Sequence, residues 1–425
     1  MQYWLNALNV KLGAPELLAF RLWSYLFLLG SIVAIGLLAR QLCPDNPWAL
    51  PAAMLFAAGS QQLIIAGRTA MLDSGQCFFL AAALLSFFHA SKNRGWWLVC
   101  GAMVGLGALQ KSPVAFVFIA ILLFTLHKRG DDDYRWQHLR QQWQFNAGYY
   151  LALFLLLSWP LLQTVLDGSK YLRTGIQREM LARLSPLGDE RFERGDFFLW
   201  LGWLWRDMRW PGLLALACVP AMLILKRWRD DRAVFSLAVV ALVVMLDFSL
   251  ATGTLYQRYL LVLVPLLVVL LVRAGSDLLR WKPAVFALAM VAAAASVPRM
   301  QAAIAAAGQP EDFAGFHQIK AAVERLDASR QPGDVVLIDS KMLPPGAYGY
   351  FGAGIEPYLT LKLTDEPDAL RRGRRNIAGV AAPVLGITSA QKLALVAEIA
   401  GTYELLYRDA DIAIWRRPAQ SAAAK

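Results

Sequence analysis

Charge is scarce in this sequence: Asp, Glu, Lys and Arg supply 17% of 425 residues, against 57% hydrophobic. A soluble domain is about a quarter charged, so a water-exposed surface is excluded for most of the chain and a polytopic membrane protein remains. Cysteine and histidine are also few, four of each. Cys43, Cys77, Cys100 and Cys218 stand apart in or beside apolar runs, without CxxC or zinc spacing. Neither a disulfide framework nor a metal site is indicated. There is no GxGxxG and no P-loop, so nucleotide binding is not supported. The net charge of +11 comes without a basic recognition helix, which argues against nucleic acid. It fits cytoplasmic loops and contact with anionic lipid headgroups instead. The opening MQYWLNALNVKLGAPELLAF lacks a basic n-region and a small-residue cleavage site, so it reads as an amphipathic lead-in and not as a signal peptide. Repeats are absent, and low complexity is confined to an alanine-rich stretch near 287–307 and the AQSAAAK tail.

What the sequence has in abundance is long apolar runs. They predict about ten membrane spans, near 17–40, 48–66, 70–90, 96–110, 113–127, 146–166, 210–226, 233–252, 256–273 and 282–298. Basic residues fall in alternate loops: Lys92 and Arg94; Lys128, Arg129, Arg135 and Arg140; Lys226, Arg227, Arg229 and Arg232; Arg273, Arg280 and Lys282. Those loops are expected to be cytoplasmic. The opposite short loops carry only Arg68, Lys111 and Arg258, so both chain ends, Asp73 and Lys111 are expected to face outward. One outward loop is long, from about Asp167 to Arg209. Its YLRTGIQREMLARL half and its aromatic DFFLWLGWLWRDMRW half both read as segments lying in the membrane interface, for anchoring or for gating a substrate.

After about Met300 the composition becomes that of a soluble domain. FAGFHQIKAAVERLDA and TSAQKLALVAEIA predict helices, DVVLID a buried strand, and TYELLYR and DIAIWRR closing strands. MLPPGAYGYFGAG reads as a loop. The expected fold is an all-α polytopic membrane bundle over 1–299, followed by a small soluble α/β domain over 300–425.

Charge at membrane depth is costly and is usually retained for a partner or a substrate, which singles out two residues. Asp73, in GRTAMLDSGQ, opens the third span. It is either a carboxylate favoured by the helix N-terminus, paired with Arg68, or a functional group. Lys111, in GLGALQKSP, lies between two unusually short apolar runs. Ser112 can cap the helix that follows and Pro113 suits its first turn. A lysine and a helix N-terminus facing one cavity suit a phosphate; the bland alternative is a snorkelling lysine. Tyr256, Arg258 and Tyr259 open the ninth span as an interfacial anchor or a phosphate or sugar contact. Asp247, inside the eighth span, is expected to face the bundle interior or to be neutral.

Taken together, Tyr3-Trp4 followed by GAPELLAFRLWS, then GRTAMLDSGQ, GLGALQKSP and YQRYLLVLVPLL, resemble the bacterial membrane glycosyltransferases of the GT-C fold that use polyprenyl-phosphate sugars. The aminoarabinose lipid A transferases and the protein O-mannosyltransferase-like enzymes are the nearest in pattern. The resemblance implies inverting transfer of a sugar from a polyprenyl-phosphate donor to a lipid A, protein or glycan acceptor, on the periplasmic face of a bacterial inner membrane. It implies Asp73 as the catalytic carboxylate, Lys111, Arg258 and Arg68 as donor-phosphate contacts, and Tyr256 and Tyr259 as walls of the substrate pocket. The C-terminal domain is then periplasmic and the protein a monomer among membrane lipids. Some related enzymes use a divalent cation; no cofactor is assigned here. In the family a first span and a large outward loop, bearing the principal acidic residue, precede the Tyr-Trp segment, and the chain is expected to lack both. Two other functions share these features: a non-catalytic accessory protein that binds the same lipid-linked sugar, and a transporter of lipid-linked sugars. A transporter would be expected to show paired discontinuous spans or an internal repeat, and neither is convincing in the sequence.

Overall fold

With no water in a bilayer core, a spanning segment must satisfy its own backbone, and apolar runs of this length do so as helices. A computed structural model of the protein describes residues 2–14, 16–68, 71–111, 113–167, 199–250 and 257–307, and within 325–419 five strands, a helix and short stretches between them. The chain divides into two compact units, Met1–Ile304 and Ala305–Lys425.

The first unit is helical. Helix α1 (Gln2–Lys11) precedes α2 (Glu16–Leu42), α3 (Ala49–Ala58), α4 (Gln61–Arg68), α5 (Leu72–Ala90), α6 (Trp96–Gln110) and α7 (Val114–Lys128). Then come α8 (Trp136–Arg140), α9 (Trp143–Asp167), α10 (Leu199–Met208), α11 (Trp210–Ile224), α12 (Lys226–Arg229) and α13 (Arg232–Leu250). A 3-10 turn (Gln257–Val262) leads into α14 (Val264–Leu278) and α15 (Ala284–Ala307). Each expected span coincides with one of these helices or with a pair of them. Among the described residues five helices are long and apolar enough to cross a membrane, and the second expected span is broken, with α3 and α4 bent by 69°. Helices α6, α7, α11 and α14 are each 15 residues long.

The opening segment is folded back on the bundle. Trp4 stands edge-on to Trp159 at 5.1 Å, and Asn9 donates to the Ala19 carbonyl at 3.1 Å. The expected interfacial helix at 171–184 lies outside the described residues. The aromatic half of the same loop, expected to lie in the membrane interface, contains α10, which packs one face on the bundle and leaves another exposed. Trp200, Leu204, Asp207 and Met208 are all buried, leaving Trp205 exposed, because their spacing puts them on one helical face that meets the bundle. The Trp200 indole donates to the Ser249 hydroxyl at 2.8 Å.

The basic-loop end of the bundle is tied by a network around Arg273. Its guanidinium donates to the Leu42 carbonyl at 2.6 Å and pairs with Asp231 and Asp277 at 3.3 and 3.1 Å. Asp277 also accepts from the Trp228 indole at 2.7 Å, and Asn46 donates to Ser276 at 2.8 Å. The ends of α2, α12, α13 and α14 are thereby joined through a half-buried cluster of charge.

In the second unit, β1 (Val335–Asp339), β2 (Tyr358–Leu361), β3 (Val384–Ser389), β4 (Glu404–Arg408) and β5 (Ile412–Arg417) form one sheet in the order β2-β1-β3-β5-β4. β1 pairs in parallel with β2 and β3, and β5 antiparallel with β3 and β4. Helix α16 (Leu393–Ala400) packs Val396 and Ile399 into a core with Leu337, Val384 and Trp415. The helix expected at 313–328 and the 342–354 loop fall largely or wholly outside the described residues.

Helices α6 and α9 cross closely because neither carries a side chain at the crossing. A Cβ on Gly101 would overlap the Gly148 carbonyl, and one on Gly148 the Trp97 carbonyl. Backbone cannot yield as a flexible side chain would, so Gly148→Ala is expected to destabilise the fold by ~1–3 kcal/mol. Gly202→Ala in α10, where a Cβ meets nothing within 4 Å, is the control and is expected to be neutral or slightly stabilising. Thermal unfolding of both variants in detergent checks the contrast; equal midpoints would show that the α6–α9 crossing is looser than described.

Candidate functional site

The site is assembled where antiparallel α5 and α6 meet. Asp73 is the second residue of α5, in the first turn, where the unpaired amides of a helix favour a carboxylate. Because α6 runs back along α5, its last residue arrives at the same level. Gln110 donates from Nε2 to the Leu72 carbonyl at 3.2 Å, and Lys111 caps the helix with φ −154° and ψ −50°. The Lys111 ammonium donates to the Asp73 carboxylate in a short ion pair. Asp73 is only 5% exposed. Two charges in an apolar surround are tolerable because they neutralise each other.

The 3-10 turn packs against α4, α5 and α10 and brings a second cation near the pair. The Lys111 Nζ lies 5.0 Å from the centre of the Tyr259 ring, and the Arg258 guanidinium carbon lies 6.0 Å from the same ring. One aromatic ring is therefore approached by two cations, a cation–π arrangement. Lys111, Arg258 and Tyr259 are partly accessible while Asp73 is buried beneath them.

Several sequence expectations change here. Asp73 pairs with Lys111 and not with its near neighbour Arg68, since helix packing places the end of α6, and not the end of α4, beside it. Among the described residues Arg68 shares no hydrogen bond or ion pair with the group. Tyr256 and Ser112 lie outside the described residues. Helix α7 begins at Val114, so Pro113 occupies the position before the first turn and not a place within it. Asp247 is exposed, so of its two alternatives the bundle-facing one does not hold.

Asp207 carries nothing in its sequence context that singles it out. It is fully buried and accepts from the Ser60 hydroxyl at 2.9 Å and the Gln62 amide at 2.7 Å. It thus caps α4 from a helix 147 positions along the chain, at the break between α3 and α4. Arg299 donates to the Arg206 and Asp207 carbonyls at 3.1 and 3.2 Å. Burial pushes the Asp207 carboxyl up from 3.8 to about 6, against the opposing pull of the Gln62 and Ser60 hydrogen bonds and of Arg299. The cap fixes where α4 starts, and α4 in turn packs on the 3-10 turn that carries Arg258 and Tyr259.

Comparison with known proteins agrees with this architecture. A family model described as dolichyl-phosphate-mannose-protein mannosyltransferase matches residues 1–159. No curated protein sequence matches the chain. Among solved structures, ArnT from Cupriavidus metallidurans bound to undecaprenyl phosphate is similar with a TM-score of 0.65 at 16% identity, covering 100% of this chain and 88% of that one. ArnT in the apo state gives a TM-score of 0.62 at 15% identity, covering 98% and 87%. The fold is that of the GT-C membrane glycosyltransferases.

The Asp207 cap has a pH signature. A carboxyl whose folded-state value is raised binds protons more readily in the folded state, so stability falls as pH rises from about 4 through about 6 and is level above. Holding that carboxylate ionised at neutral pH costs the folded state ~3 kcal/mol relative to water. Asp207→Asn keeps an acceptor for Gln62 and is expected to flatten this slope; Asp207→Ala is expected to lower the midpoint at every pH through loss of the cap. Thermal midpoints of wild type and both variants between pH 4 and 8 check this, and identical slopes in wild type and Asp207→Asn would refute it.

Proposed function

We propose that this GT-C-fold membrane protein transfers a sugar from a polyprenyl-phosphate-linked donor to a lipid, protein or glycan acceptor at the outer face of a bacterial inner membrane. What carries the reading is the buried Asp73 carboxylate held by Lys111, with Arg258 and Tyr259 against the same ammonium. The fold is shared with a transferase crystallised with undecaprenyl phosphate. An anionic lipid phosphate needs cations at the membrane boundary, and a hydroxyl acceptor needs a base; both are present within one cluster.

In the proposed reaction the donor phosphate takes up the N–H groups of Lys111 and Arg258, with the sugar against Tyr259. Lys111 exchanges one oxyanion for another, the Asp73 carboxylate for the phosphate, and Asp73 is released to accept a proton. The acceptor oxygen attacks the anomeric carbon as its proton passes to Asp73. The bond from that carbon to the phosphate oxygen breaks, its electron pair leaves with the polyprenyl phosphate, and configuration inverts. Lys111 and Arg258 stabilise the charge that develops on the leaving phosphate. The ion pair thus links donor binding to the availability of the base.

Transfer of labelled sugar in reconstituted vesicles tests the assignment. Asp73→Asn is expected to lower transfer by a factor on the order of 100 or more, while undecaprenyl phosphate still binds. Lys111→Ala is expected to weaken that binding as well. Full transfer by Asp73→Asn would remove it as the base. A wild-type protein that binds the lipid phosphate without transferring sugar would favour the accessory-protein reading.

A further inference from the structure

A second candidate site lies at the opposite end of α6 from Lys111. An apolar groove of about 360 Å³ runs between α6, α7 and α9 at the basic-loop end of the bundle. Its floor is the close crossing of α6 and α9, where Gly101 and Gly148 present backbone and no side chain. Trp97 forms an inner wall, and Phe124 and Trp136 stand at the rim, 62% and 43% exposed. The groove is therefore open at the outer surface of the bundle. Nothing in the proposed transfer uses it.

Its rim carries two cations. The Lys128 ammonium sits 5.7 Å from the Phe124 ring, and the Arg140 guanidinium 5.0 Å from the Trp136 ring. Both cations are exposed, and among the described residues neither pairs with a carboxylate. Of the neighbouring acids, Asp132 pairs with Arg135 at 2.8 Å and Asp131 accepts from the Asp133 amide at 3.2 Å, while Asp133 is exposed in the same turn. His127 also lines the rim. An apolar slot of about 360 Å³ thus has two cations held against the aromatic rings of its rim. That pairing of features complements one kind of molecule, an acyl chain with a negative headgroup.

We infer that the groove between α6, α7 and α9 is a binding site for an anionic phospholipid, with one acyl chain along the Gly101–Gly148 floor and the headgroup phosphate between Lys128 and Arg140. The site is separate from the Asp73–Lys111 cluster, and it lies on the basic-loop face, where anionic lipid is expected to be richest. A lipid seated there fills the wedge beside a crossing that has no side chains of its own, and so supports the packing of α6, whose far end carries Lys111.

Native mass spectrometry of the purified full chain, titrated with phosphatidylglycerol or with phosphatidylcholine of the same acyl chains, tests this independently of any transfer activity. Two cations near a membrane surface give an expected preference for phosphatidylglycerol of roughly 30-fold. Lys128→Gln combined with Arg140→Gln, both on the surface, is expected to bring phosphatidylglycerol down to the phosphatidylcholine level. Ala120→Trp, filling the groove from its exposed side, is expected to abolish retention of both lipids with circular dichroism unchanged. Equal binding of the two lipids to wild type, or unaltered preference in the double charge variant, would overturn the inference. So would displacement of phosphatidylglycerol by equimolar undecaprenyl phosphate in wild type, which would make the groove a polyprenyl-chain site.

Discussion

The bond between Asp73 and Lys111 is the constraint on which the helical unit depends. A carboxylate and an ammonium at the boundary of an apolar bundle are each too costly alone, so the first turn of α5 and the last residue of α6 have to meet. That requirement fixes the axial register of two antiparallel helices. Gln110, one residue earlier, reinforces it by reaching the Leu72 carbonyl. The same register brings Tyr259 and Arg258 into the cluster, because their turn packs on α5. An interaction that holds the helices in register is thus also the one a phosphate would have to open.

The other end of the bundle is held by charge of a different character. Arg273 is shared among a carbonyl and two carboxylates, so losing any one contact leaves it with others. At the Asp73 end the described contacts of the carboxylate run through one ammonium. The redundant network suits a scaffold; the singly held pair suits a place where partners change. Positive residues that first signal loop orientation also work here as structural fastenings, which a count of loop charges does not distinguish.

Legibility in the sequence followed the range of the interaction. The spans were readable because hydropathy is local, and so were β1, α16, β4 and β5, each a short periodic run between turn signals. The sheet partners β2 and β3 were not: Pro357 and Pro383 stand directly before YLTL and VLGITS, but neither short run alternates clearly, and Thr388 and Ser389 read as the start of the helix that follows. The break between α3 and α4 was missed because Gly59-Ser60 looks like a slight polar interruption in an apolar stretch. Asp73 and Lys111 could each be marked from the cost of burying charge, but their pairing spans 38 positions and follows only from helix packing. Asp207 carried no mark: an aspartate near aromatic residues in a long loop looks solvated until Ser60 and Gln62 are brought to it.

The length of α6 and α7 has a consequence for the membrane itself. Each has 15 residues, which is ~22 Å of helix against a hydrocarbon core of ~30 Å. A span shorter than the hydrocarbon core is accommodated by thinning of the bilayer or by snorkelling of flanking residues, and Lys111, exposed at the turn between α6 and α7, is a residue of the kind that snorkels.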